Sequence, residues 1–270
     1  MARQSTLFGA AQDARPATET AALPVNRIKL SDLSAALRAG LADFNAMPTH
    51  LVLLMLIYPI MGLMLARWAM GNAMLPLLFP LVSGFALIGP VAAVGLYELS
   101  RRRETGAETH IQDAFAVRAS PALGTIILLG AMLLVLFGGW LWSASLLYTA
   151  LFDIAEPASF RGFISDIIYT PAGWKLIVYG NLLGFGFALV TLMVSAISFP
   201  LALDRNVSFG TAVATSVAAF RENPLPMLAW GLIVATLLLL GALPLLVGLA
   251  LVMPVLGHAT WHLYRRVVPD

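Results

Sequence analysis

From Pro224 to Tyr264 the chain contains no Asp, Glu, Lys or Arg. A helix crosses the hydrocarbon core of a bilayer in about 20 apolar residues, so this single run is long enough for two crossings. It is interrupted by Gly241-Ala242-Leu243-Pro244, where proline removes a backbone donor and glycine relaxes the chain, the chemistry of a tight turn. The run therefore divides into spans over residues 225–240 and 245–264. Four further uncharged stretches predict spans over residues 49–66, 73–97, 121–148 and 176–200. The expected fold is all-α, a polytopic membrane protein of six transmembrane helices arranged as hairpins.

Composition supports lipid as the solvent. Charged residues make up 11% of the chain and hydrophobic ones 60%, with a mean hydropathy of +0.87. A soluble domain needs about a quarter of its residues charged to cover its surface. The net charge of +2 leaves no electrostatic footprint for nucleic acid. With no Cys in the chain, disulfides, thiolate catalysis and Cys-ligated zinc or iron–sulfur sites are excluded.

Residues 1–25 read as a disordered cytoplasmic tail and 26–268 as the membrane domain. Met1–Thr20 has no apolar core of the kind a cleavable secretory signal requires, so the first span is expected to direct insertion. Thirteen of the sixteen basic residues fall on the side of the two termini, among them Arg27, Lys29, Arg38, Arg101, Arg102, Arg103, Arg118, Arg205, Arg221, Arg265 and Arg266. The positive-inside rule then places both termini in the cytoplasm of a bacterial inner membrane. The loop 149–175 is the one sizeable external segment and carries Asp153, Glu156 and Asp166.

Short amphipathic stretches precede the spans. Leu30, Leu33, Leu37, Leu41 and Phe44 recur at helical spacing, and Ile111–Arg118 and Phe209–Phe220 repeat the pattern more loosely. Such stripes before a span predict helices lying in the membrane interface.

Two segments align without gaps. Pro80-x3-Gly84-x-Ala86-Leu87-x2-Pro90-x6-Tyr97-x-Leu99-x-Arg101-Arg102 matches Pro244-x3-Gly248-x-Ala250-Leu251-x2-Pro254-x6-Trp261-x-Leu263-x-Arg265-Arg266. Upstream, Phe44-x3-Pro48 pairs with Phe220-x3-Pro224. Copies separated by an even number of spans run parallel, so the first and last hairpins are expected to be equivalent, with matching kinks at Pro90 and Pro254. Those prolines mark either packing helices or, alternatively, paired broken helices around a substrate. Helices 3 and 4 match the pattern poorly.

Candidate chemistry is sparse. His258 and His262 stand four apart on one helix face, and His50 opens the first span. Two imidazoles at this spacing lack the carboxylate of a zinc motif; as haem ligands, His50 and His258 would have to come from facing helices, and the simpler reading is boundary histidines bonded to headgroups or backbone. Glu98, beside Arg101 and Arg102, reads as an interfacial ion pair, and Asp204 with Arg205 as a second boundary pair. Asn181 in the fourth span reads as interhelical glue, and Gly180-x3-Gly184 as a face for close packing within or between copies. No span core carries a carboxylate of the kind that marks proton paths, and no nucleophile elbow, Walker loop or dinucleotide fingerprint occurs.

The blocks Gly89-Pro90-Val91-Ala92-Ala93-Val94-Gly95-Leu96-Tyr97-Glu98-Leu99-Ser100-Arg101-Arg102, Ser198-Phe199-Pro200-Leu201-Ala202-Leu203-Asp204-Arg205 and Leu256-Gly257-His258-Ala259-Thr260-Trp261-His262-Leu263-Tyr264-Arg265 resemble the domain-of-unknown-function 2189 family of bacterial integral membrane proteins, over about residues 26–268. Some members carry a cytochrome c oxidase subunit I label. This chain departs from that label, since it has neither the spans nor the buried histidine set of a haem–copper catalytic subunit. The sequence therefore points to a non-enzymatic protein of the inner membrane, an accessory or assembly partner of a larger, respiratory complex or of its own copies. The alternatives are a small transporter or channel for an uncharged or lipid-like substrate and, third, a haem-binding membrane protein.

Overall fold

The structure is a computed structural model that describes residues 21–47, 75–152, 159–244 and 246–269, with isolated helical positions at Ile60, Met64 and Arg67. The first expected span, 49–66, and His50 lie almost wholly outside the described residues. The described elements are all helical: α1 (Leu30–Ala46), α2 (Leu75–Phe85), a 3-10 turn (Ala86–Ile88), α3 (Gly89–Ala92), α4 (Val94–Glu104), a 3-10 helix (Ile111–Ala119), α5 (Leu123–Phe152), α6 (Phe160–Tyr169), α7 (Pro171–Ser195), α8 (Ser198–Arg205), α9 (Phe209–Glu222), α10 (Pro224–Ala242) and α11 (Leu249–Val267).

Three segments are long and apolar enough to cross a bilayer: Leu123–Phe152, Pro171–Arg205 and Pro224–Ala242, and Leu75–Gly84 is a shorter apolar helix. Local chemistry sets their ends. Thr170 accepts the Gly173 amide and Pro171 occupies the first turn of α7, where its missing N–H costs nothing. α8 stops at Asn206, in the left-handed conformation at φ 50°, which asparagine tolerates better than most residues. The expected second span, 73–97, is not one continuous helix. It breaks around Gly89-Pro90 and again at Ala93. α11, by contrast, runs unbroken through Pro254, so the two prolines differ in their local effect.

One aromatic residue of α5 reaches both α2 and α7. Trp140 of α5 donates its indole N–H to the Pro80 carbonyl at 2.8 Å. A methyl on Gly84 would lie 2.7 Å from the Trp140 ring, and one on Gly184 would lie 3.1 Å from it. The indole thus fits between α2 and α7 because both present glycine. Gly184 packs inside the monomer, and Gly180 faces Leu147. Among the described residues Asn181 does not act as interhelical glue: it faces outward and its amide donates to Ile177 of its own helix.

Most of the buried residues lie at the basic end of the molecule. There α4, α8 and α11 pack on one another, and each carries one amphipathic helix: the 3-10 helix on α4, α9 on α8 and α7, and α1 along α11. Ion pairs tie the same segments, Arg102 to Asp113, Arg266 to Asp32 and Arg27 to Glu222. The chain is already ordered before residue 26. Leu23 donates its amide to Thr215, and Asn223 bonds Asn26 and Ile28, so residues 21–25, the described part of the tail expected over 1–25, lie against α9.

The apolar stripe of α1 is only partly its buried face: Leu33 is buried and Leu37 and Phe44 pack against the core. Leu33, Ala36, Gly40 and Asp43 are buried, whereas Leu30 and Leu41 are 52% and 46% exposed. Small residues at this spacing let α11 approach closely, and that approach outweighs burial of the larger leucines.

Candidate functional site

The closest helix pair brings together a cluster that spacing alone did not reveal. Asp43 lies on the small-residue face of α1 and is 6% exposed. Its Oδ2 accepts the Ser100 hydroxyl at 2.6 Å and bonds His262 Nε2 at 2.8 Å. Its Oδ1 faces Arg103 Nε at 3.2 Å. His258 Nδ1 sits 2.7 Å from Ser100 Oγ and 4.0 Å from Asp43. α1, α4 and α11 therefore each supply part of one polar centre.

The hydrogen bonds fix the protons. An ionised carboxylate only accepts, so the single Ser100 proton points to Asp43, and His258 Nδ1–H then donates to Ser100 Oγ. His258 Nε2 is left with a lone pair; it is buried, with no partner among the described residues. An unmet buried acceptor costs about 1–3 kcal/mol. Burial works to raise the Asp43 pKa, but the bonds from His262 and Ser100 and the nearby imidazoles outweigh it and hold the carboxyl below its ordinary value.

A serine between a carboxylate and an imidazole has the parts of a hydrolytic triad, but the wiring differs. In a triad the serine gives its proton to imidazole Nε2, and the carboxylate holds Nδ1–H. Here Ser100 is bonded directly to the carboxylate, is 1% exposed and lies inside α4. The arrangement holds helices together and offers no route for a nucleophile. Among the described residues no group of three or more His, Asp or Glu is arranged to hold a metal ion.

The other sequence candidates have structural partners. Glu98 is buried and binds both Arg101 and Arg102. Asp204 accepts the Tyr264 hydroxyl at 2.5 Å and faces Arg265 at 3.5 Å, closer than Arg205 at 3.9 Å; Arg205 itself reaches the Pro269 carbonyl. His258 and His262 converge on Asp43 rather than on headgroups or backbone, because α1 covers the face that the sequence left open. α4 and α11 meet tightly, since a methyl on Gly257 would lie 2.5 Å from Leu96. Sequence reasoning missed Asp43, Ser100 and Arg103. The one available signal was the Ala36, Gly40, Asp43 series, a carboxylate ending a row of small residues at helical spacing.

Residues 78–204 match the model of a family described as predicted integral membrane protein (DUF2189). The match covers the broken helix, the Trp140 contacts and α7–α8, and stops before the His258 block. No curated protein and no solved structure matches the chain.

Proposed function

We propose that this chain, an integral membrane protein carrying the DUF2189 segment, acts without catalysis, as an accessory or assembly partner in a larger complex of the bacterial inner membrane. The observation that carries this reading is the contrast between its two parts. At the basic end polar side chains engage one another across the helices. Along the spans only 22%, 33% and 22% of the most apolar windows of α5, α7–α8 and α10 are buried. A groove of about 330 Å³ on α5 and α7, lined by Leu136, Leu182, Leu183, Gly186, Phe187 and Val190, has the chemistry of a seat for a partner helix. Extraction into polymer-bounded native discs, followed by mass determination, tests it. A stoichiometric membrane partner or a second copy is expected; a lone chain under every mild extraction contradicts it.

The same reading places six spans in the membrane, both termini on the cytoplasmic side, and the first and last hairpins as parallel copies. Its support is the parallel course of α4 and α11, whose contacts advance together from Leu96–Gly257 through Ser100–His258 to Glu104–Trp261. Transport of an uncharged or lipid-like substrate draws on that same pairing, but the close contact of Leu96 with Gly257 leaves little room for a path there. Haem binding draws on His258, whose free Nε2 and donating Nδ1 are the arrangement of an axial imidazole. Soret absorbance of the pure protein tests it, and its absence in haem-replete cells removes it.

A further inference from the structure

The basic end is built from three joints of one kind. Three inner helices, α4, α8 and α11, contact one another, and an amphipathic helix lies on each. Two of the joints share a detail that extends the repeat. Asp32 caps α1 through the Lys29 amide and pairs with Arg266 of α11. Asp113 caps the 3-10 helix through the His110 amide and pairs with Arg102 of α4. Arg102 and Arg266 are the equivalent final arginines of the two aligned segments.

The joints differ in how the chain connects them. α4 reaches the 3-10 helix through residues 105–110, and α8 reaches α9 through 206–208. α1 and α11 are separated by the whole of residues 47–248. The third joint is thus the one that can part without stretching a short connection. It is also the joint that holds a buried polar centre, with Asp43 facing Ser100 and Arg103 of α4 and His258 and His262 of α11. His258 Nε2, unpartnered while the joint is closed, gains a donor as soon as water enters.

We propose that α1 is a latch that lifts from α11, opening this joint and uncovering Ser100, His258 and His262, with Asp43 as the bolt that holds it shut. Because the chain has no Cys, single cysteines report the opening directly. Ala36 on α1 and Ala212 on α9 are both fully buried, one at the proposed moving joint and one at a fixed joint. With a water-soluble maleimide on the full chain in native membranes, and rates normalised to the exposed Asn45→Cys, Ala36→Cys is expected to react about tenfold faster than Ala212→Cys. Asp43→Asn should raise the Ala36→Cys rate further and leave Ala212→Cys unchanged. Asp32→Asn, which removes the ion pair with Arg266 and keeps an oxygen to cap the Lys29 amide, should give a smaller rise at Ala36→Cys alone. Equal protection of both sites in all backgrounds overturns the proposal, as does a parallel rise at both sites in Asp43→Asn and Asp32→Asn, which would mean general loosening.

Discussion

Gly40 of α1 and Ala259 of α11 meet backbone to backbone: a methyl on Gly40 would lie 2.5 Å from the Ala259 amide nitrogen. No flexible side chain stands between them to give way. This contact sets the distance at which Asp43, one turn further along α1, reaches Ser100 and His262.

Gly40→Ala should therefore destabilise the protein by about 1–3 kcal/mol, the usual cost of overpacking a close contact. Gly138→Ala and Gly186→Ala, which meet nothing within 4 Å, should be neutral or stabilising by up to about 1 kcal/mol through helix propensity. Thermal unfolding midpoints in a mild detergent separate the two classes; equal losses at all three positions would show that the close approach is not tight.

Removing the Asp43 carboxylate should cost more than removing either neighbour. Asp43→Ala leaves Arg103, His262 and the Ser100 hydroxyl without their acceptor, a loss of about 3–5 kcal/mol for a broken buried pair, whereas Ser100→Ala removes one hydroxyl and should cost about 1 kcal/mol. Denaturant midpoints of the two variants check the order.

The same carboxylate gives stability a definite dependence on pH. Its folded pKa lies below the ordinary value of 3.8, so its contribution is fully present above that value and is lost as pH falls through the lowered folded value. The groups facing it are Arg103 from α4 and His258 and His262 from α11. The difference in thermal midpoint between the native chain and Asp43→Asn should stay constant from neutral pH down toward 3.8 and shrink below it. A difference that vanishes well above that value would place the stabilising titration on another group.

Trp140 should anchor the spans. Trp140→Phe loses the bond to the Pro80 carbonyl at about 1 kcal/mol, and Trp140→Ala also opens a cavity between Gly84 and Gly184, for about 3–5 kcal/mol in all. Unfolding midpoints that leave Trp140→Ala close to wild type would show that α2 and α7 do not depend on the indole.

Much of the architecture was legible because lipid imposes it. The long uncharged runs locate α5, α7 and α10, and the turn at Gly241–Pro244 falls where α10 ends. The break within 73–97 was announced by Gly89-Pro90, although its second break, at Ala93, has no such signal. The buried centre was hidden for a physical reason. Asp43, Ser100 and His258 stand on three helices far apart in sequence, and each alone looks like an ordinary boundary residue. Leu30 and Leu41 mark the most apolar face of α1, while α11 packs beside it, where glycine and alanine allow the nearest approach.

The topology turns on which residues share a side of the membrane. With the Cys-free background, Thr105→Cys, Ser165→Cys and Glu222→Cys can be probed in intact cells with a membrane-impermeant thiol reagent. Ser165→Cys, in α6 between the spans of α5 and α7, should label from outside. Thr105→Cys and Glu222→Cys should label only after the membrane is permeabilised. Labelling of Thr105→Cys or Glu222→Cys from outside, or of all three from one side, would contradict the placement of the basic, latched end in the cytoplasm.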